Sequence, residues 1–270
     1  MKKILVVFDG YNFSSASLDF VQNLSRNSPF LLTGVFLSSI DYKTMLGYPL
    51  AVGGYITAIE YDNDLFVKNV AYFKEYCEKN GFEYRVHDDL GGDALDILKT
   101  ETRFADLLVL GSETFFKDVT ISTPSEYLDD IIRDTECPVL LLPEDYKFPE
   151  KLVLTYDGSK NSMYALKQFA YVLPELCNKE AALVYGSTKK EELPNIDMLE
   201  EFAARHYGKL NILKLDIDPK VYFNTWLVNN KNALVVSGAF GRSDVSMLFS
   251  KSFMTEVIKE HKLPVFIAHQ

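Results

Sequence analysis

The stretch SGAFGRSDVSMLFSKSF, residues 237–253, directly follows the apolar run ALVV. Gly238 and Gly241 stand three apart at the end of an expected strand, and Lys251-Ser252 comes ten residues after the second glycine. Glycine admits positive φ and lets backbone N–H groups approach an anion with no Cβ in the way. Ser252 is expected at the start of the last helix, where unpaired N–H groups and the helix dipole favour phosphate. Lys251 and Arg242 would add positive charge beside it. The chemistry these types and spacings offer is the gripping of a phosphate. The same residues also admit a structural role, with the glycines shaping a turn and the serine capping a helix. A P-loop is excluded, because its glycine positions before Lys251-Ser252 hold Val245 and Ser250. Asp157-Gly158 closes another apolar run and is the second candidate, either as a ligand contact or as a turn and helix cap.

Other chemistry is poorly served. There is no GxSxG elbow, no HExxH, no GxGxxG and no Cys/His pair at suggestive spacing. Cys77, Cys137 and Cys177 are far apart and read as thiols of a reducing compartment. His87, His206, His261 and His269 form no ligand-spaced pair, so no metal site is expected. No catalytic residue is assigned, and the chain is not expected to be an enzyme. The net charge of -10 argues against a nucleic-acid partner. It is unevenly spread. Residues 1–146 carry 12 Lys/Arg against 24 Asp/Glu, while residues 147–270 carry 16 against 14, so only the second part is receptive to an anion. No apolar run approaches the ~18 residues of a membrane span, and the run Ile4–Phe8 is too short for a signal peptide. A cytoplasmic protein without a membrane partner is expected.

The elements that must position these residues are written twice. KKILVVFDG at the start returns as EKLVLTYDG at 150–158, ADLLVLGSE at 105–113 as NALVVSGAF at 232–240, and CPVLLLPED at 137–145 as LPVFIAHQ at 263–270. The expected domains are 1–146 and 147–270. Asp9 to Gly111 spans 102 residues and Asp157 to Gly238 spans 81, which assigns about 21 extra residues to the first copy. The Gly/Tyr-rich stretch 45–64 is the expected insertion, a loop or short helix over the strand ends.

Strands are predicted near 4–8, 31–37, 83–87, 106–110 and 138–142, and again near 151–156, 181–185, 210–215, 233–237 and 264–268. They are short and continuously apolar, as strands buried on both faces are. Between them Leu166, Phe169, Ala170 and Leu173 recur with the period of a one-faced helix, as do Met254, Val257 and Ile258. Such alternation implies α/β architecture: two tandem, doubly wound, parallel five-stranded sheets. Ligands of such sheets sit beyond the carboxyl ends of the strands, the edge that holds Asp157-Gly158 and Gly238.

The strand-ending aspartates, the ADLLVLGS-type fourth strands and the CPVLLLP/LPVFIA fifth strands resemble the universal stress protein family in its tandem two-domain form, over nearly the whole chain. ATP-binding members carry Gly-x2-Gly-x9-Gly-Ser/Thr after the fourth strand. The second copy matches with Gly238, Gly241 and Ser252, and departs with Lys251 at the third glycine. The first copy has Gly111, Thr114, Pro124 and Ser125 there, with Glu113 inside the loop. The resemblance implies a non-catalytic stress-response protein holding ATP or another adenine nucleotide in its second domain, through Asp157, Gly158, Gly238, Gly241, Arg242, Lys251 and Ser252. It further implies an intramolecular pseudo-dimer through the fifth strands, and allows a homodimer. The alternative is an interaction module with both nucleotide pockets inactive.

Overall fold

The computed structural model describes residues 1–9, 13–26, 28–37, 63–88, 94–111, 131–186, 192–215, 232–238, 257 and 262–270. In the first half the strands are β1 (Lys2–Asp9), β2 (Phe30–Leu37), β3 (Glu83–His87), β4 (Leu107–Gly111) and β5 (Val139–Leu142). Its helices are α1 (Ser15–Ser25), α2 (Asn63–Asn80) and α3 (Ala94–Arg103). The second half has β6 (Lys151–Tyr156), β7 (Glu180–Gly186), β8 (Lys209–Leu215), β9 (Ala233–Gly238) and β10 (Val265–Ala268), with α4 (Lys160–Val172) and α5 (Ile196–His206). All ten strands fall within a residue or two of the predicted spans. Of the insertion, only Asn63 and Asp64 are described, as the start of α2.

The strands form one continuous sheet in the order β3-β2-β1-β4-β5-β10-β9-β6-β7-β8. Within each half every pairing is parallel, in the same order: third, second, first, fourth, fifth. The halves meet at β5 and β10, which pair antiparallel. Leu140 lies opposite Phe266, its own counterpart in the repeat, with Val139 opposite Ile267 and Leu141 opposite Val265. The joint therefore has the register of a two-fold axis passing through the Leu140–Phe266 pair. One consequence is geometric. Because the joint is antiparallel, the carboxyl ends of the first half's strands and those of the second half's lie on opposite edges of the sheet.

Side chains alternate across the sheet as the pleat requires. Ile4, Val6, Phe8, Leu140 and Phe266 face one core, which α1, α2, α4 and α5 cover. Leu5, Val7, Val139, Val265 and Ile267 face the other, with Leu98 of α3, Ile131, Ile132 and Val257. Both faces of the inner strands are thus buried, which is why they read as unbroken apolar runs, whereas the edge strands β3 (EYRVH) and β8 (KLNILKL) keep exposed polar residues. Val257 is the described member of the last helix's expected apolar stripe, and it is buried and helical.

Contacts beyond the sheet tie the halves together. Within the second half Phe169 of α4 braces the joint strand edge-on at Phe266, ring centroids 5.1 Å apart, and further contacts cross between the halves. The ammonium of Lys2 donates to the Val172 carbonyl at the end of α4, a favourable place for a cation, and lies 3.8 Å from Glu175. Tyr146, in the connection between halves, donates from its hydroxyl to Ala16 O at 3.4 Å, and Phe148 packs against Phe20 with centroids 5.4 Å apart. His269 Nε2 donates to Ile132 O at 2.7 Å.

These contacts predict that the halves unfold together. Phe266→Ala removes a fully buried ring from the joint and is expected to cost about 3–5 kcal/mol. Denaturant titration followed by both fluorescence and far-UV circular dichroism should give one coincident transition, shifted to lower denaturant. Two separated transitions in the wild type would contradict the joint's role.

Candidate functional site

The carboxyl edge of the second half gathers the ends of β6 and β9 and the start of α4. Thr155 ties the two strands by donating from Oγ1 to Val236 O at 2.8 Å. After Tyr156 the chain makes a tight turn. Ser159 N donates to Asp157 Oδ1 at 2.9 Å, so the aspartate closes a turn on its own backbone. Gly158 takes φ +78°, the left-handed conformation that favours glycine. Ser159 then caps α4, its Oγ accepting from Ser162 N at 3.1 Å, while Ser162 Oγ donates to Ser159 O at 2.9 Å. Asp157 N in turn lies 3.4 Å from Ser162 Oγ, to which it donates. Asp157, Ser159 and Ser162 form one closed net at the helix start.

Gly238 belongs to the same place. A Cβ there would stand 2.6 Å from Asn161 C, 2.7 Å from Asn161 O and 2.7 Å from Ser162 N. Those are backbone atoms of the first turn of α4, which cannot step aside as a flexible side chain could. The missing side chain lets the end of β9 press directly against the capped helix. Asp157, Gly158 and Gly238 are therefore brought together. Gly241, Arg242, Lys251 and Ser252 lie outside the described residues.

A third strand-end neighbour comes from elsewhere in the chain. A Cβ on Gly158 would lie 2.5 Å from Pro194 Cγ, so the proline ring is seated on the glycine. Tyr156, buried at the end of β6, donates from its hydroxyl to Pro194 O at 3.1 Å. Burial raises the Tyr156 phenol above the ordinary tyrosine range, and a hydrogen bond with the Asn195 side chain pulls it part of the way back. Asn195 itself has φ 56°, a left-handed conformation that asparagine tolerates.

The matching edge of the first half is built differently. Ser14 caps α1 as Ser159 caps α4, accepting from Ser17 N. The residue before the cap is Phe13 rather than glycine. Its ring stacks on Phe8, centroids 4.5 Å apart and nearly coplanar. Phe8 stacks on Phe36 at 4.9 Å, and Tyr72 meets Phe13 edge-on at 4.8 Å. Aromatic rings pack at this strand end, where the second half has Gly158 beneath Pro194; Gly10, the repeat counterpart of Gly158, lies outside the described residues. Asp9 closes β1, and the loop positions Thr114, Pro124 and Ser125 lie outside the described residues.

The thiols offer no nucleophile. Burial pushes Cys77, Cys137 and Cys177 each up to about 12, so none is appreciably ionised near neutrality. Among the described residues no group of three His, Cys, Asp or Glu side chains could hold a metal ion. No described helix is long and apolar enough to cross a membrane.

No protein-family model matches the sequence, and no curated protein matches it. Solved structures do. A universal stress protein from Archaeoglobus fulgidus DSM 4304 superposes with a TM-score of 0.69 at 16% identity, covering 100% of this chain and 96% of that one. The fold is that of the universal stress proteins. A functionally unknown protein from Pseudomonas aeruginosa PAO1 shares it, with a TM-score of 0.57, 13% identity and coverage of 99% and 92%. The cytoplasmic domain of a prokaryotic cation chloride cotransporter also matches, with a TM-score of 0.53, 11% identity and coverage of 98% and 94%. The universal stress protein fold thus recurs in chains of different employment, and function has to be argued from the site.

Sequence reasoning found Asp157, Gly158 and Gly238 but passed over Ser159, Ser162, Tyr156 and Pro194. The two serines had a signal: Ser-x-x-Ser at 159–162, two residues after Asp157, repeats as Ser14-x-x-Ser17. Pro194 had none, because its contact joins residues 36 positions apart in the chain.

Gly238→Ala forces a methyl into helix backbone and is expected to destabilise the protein by about 1–3 kcal/mol, an overpacking cost. Thermal unfolding of the variant checks this. An unchanged midpoint would mean that β9 does not press on α4 as described.

Proposed function

We propose that this chain is a non-catalytic stress-response protein that binds one adenine nucleotide, ATP or AMP, at the carboxyl edge of its second half. The observation that carries the reading is the convergence of the Asp157–Gly158 turn, the capped start of α4 and the end of β9 at Gly238, packed on that helix start. That edge is where ligands of doubly wound sheets bind. Asp157 contacts the base, Gly158 offers its backbone when Pro194 is displaced, and Gly238 lets the end of β9 sit close against the capped helix start that faces the ligand. Gly241, Arg242, Lys251 and Ser252 hold the phosphates, Ser252 through its hydroxyl and Lys251 as a point charge. The charge balance agrees. Residues 147–270 carry 16 Lys/Arg against 14 Asp/Glu, so a polyanion meets no opposing field there, whereas residues 1–146 carry 12 against 24. The aromatic stack at Phe13 supports assigning no nucleotide to the first half. The protein works in the cytoplasm, as an intramolecular pseudo-dimer that is free to associate as a homodimer, without nucleic-acid or membrane partners.

A second reading, an interaction module with both pockets inactive, is favoured by specific contacts. Asp157 Oδ1 already accepts from Ser159 N, and the packing of Pro194 and of α4 explains both glycines without a ligand.

Isothermal titration calorimetry with ATP on wild type, Asp157→Ala and Lys251→Gly separates the two. The nucleotide reading expects one site per chain, lost or weakened about tenfold or more in Asp157→Ala, the effect of one good polar contact. Lys251→Gly should weaken ATP if the lysine grips phosphate, and strengthen it if the lysine obstructs the loop. Heat from two sites, or binding indifferent to Asp157→Ala, would contradict the assignment. No heat at any concentration would select the interaction module.

A further inference from the structure

The contact between Pro194 and Gly158 is not needed to form either α4 or α5. It joins the connection after β7 to the turn after β6, at the face of the candidate site. Residues 193–195 are fastened there in three ways. The Pro194 ring sits on Gly158, close enough that any side chain at 158 would collide. The Pro194 carbonyl accepts from the Tyr156 hydroxyl at 3.1 Å. Asn195, held in the left-handed conformation, begins α5, where its carbonyl accepts from Leu199 N at 3.0 Å. Leu193 packs, half-buried, against the core beneath.

We propose that Leu193–Asn195 is a latch over the Asp157–Gly158 turn, with the Tyr156–Pro194 hydrogen bond as its catch. The inference rests on the nucleotide reading for its biological use, though not for its physics. With the latch closed, a proline ring covers one face of Gly158, the residue whose bare backbone a ligand must approach. With it open, that face and the Asp157 carboxylate are reachable from the strand edge. One neutral hydrogen bond biases such an equilibrium by about two- to tenfold, so the closed state is favoured without being locked. The first half shows no such contact among its described residues. Its strand end is covered by Phe13, which lies in the same loop and stacks within its own aromatic cluster.

Tyr156→Phe keeps the buried ring and removes the hydroxyl's hydrogen bonds to the latch, at Pro194 O and the Asn195 side chain, and Pro194→Ala keeps the carbonyl and removes only the ring. Hydrogen–deuterium exchange of the ligand-free proteins, resolved to peptides, reads the latch directly. Tyr156→Phe should exchange about two- to tenfold faster over 193–199 and, together with it, over 158–162. Pro194→Ala should loosen 158–162 as well, and it serves if Tyr156→Phe does not fold by circular dichroism. Exchange unchanged in both segments, or faster at 193–199 alone, would overturn the proposal, because the strap would then not hold the turn. Stopped-flow association with ATP supplies the second arm. Where wild type binds ATP, faster association in Tyr156→Phe supports the latch, and an unchanged association rate refutes it as a gate. If neither protein binds ATP, the nucleotide reading fails, and the exchange result still decides whether the latch exists.

Discussion

The antiparallel pairing of β5 with β10 sets the rest of the molecule. Each half alone would present an apolar strand, VLLL or VFIA, as a raw sheet edge, the kind of surface that recruits other strands. Pairing the two satisfies both rows of backbone groups and places Leu140 against Phe266 under α4. The sheet becomes one ten-stranded layer whose central strands are buried on both faces. It also fixes the two carboxyl edges on opposite sides, so a ligand site in one half cannot borrow residues from the strand ends of the other. Whatever the second half binds, it binds with its own loops.

That separation lets the halves diverge while sharing a frame. Both retain a capping serine with a partner serine three residues on, Ser14 with Ser17 and Ser159 with Ser162. The position before the cap has been spent differently. In the first half Phe13 joins a stack with Phe8, Phe36 and Tyr72, converting a strand end into core. In the second half Gly158 admits Pro194 instead. The asymmetry of charge runs the same way, with the acidic half carrying the filled edge. The contacts describe two halves with differently packed strand ends, held by one joint; the proposed nucleotide site falls in the half without the aromatic stack.

Much of this was legible in the sequence, and for identifiable reasons. Strands buried on both faces are written as continuous apolar runs, so β4 and β9 stand out as LLVLG and ALVVSG. The repeat of Asp-Gly, then Gly, then Pro-Val gave the two copies and their matching strands, while the joint through the fifth strands came from the family resemblance and the strand order only from the structure. Asp157, Gly158 and Gly238 were legible because turns and close approaches demand particular residue types. The reason for Gly238 was not, since the atoms that exclude a side chain there belong to α4, more than 70 residues earlier. The Phe13 stack and the Pro194 strap were likewise hidden. Both are tertiary contacts made by residues whose types, an aromatic and a proline in loops, are unremarkable locally.

Native mass spectrometry of the intact protein, purified without added nucleotide and then equilibrated with ATP, tests the division of labour between the halves most directly. The account predicts a single mass increment of one nucleotide per chain that saturates, with its proteolytic footprint protected in residues 147–270. Two increments per chain, or protection confined to residues 1–146, would contradict it.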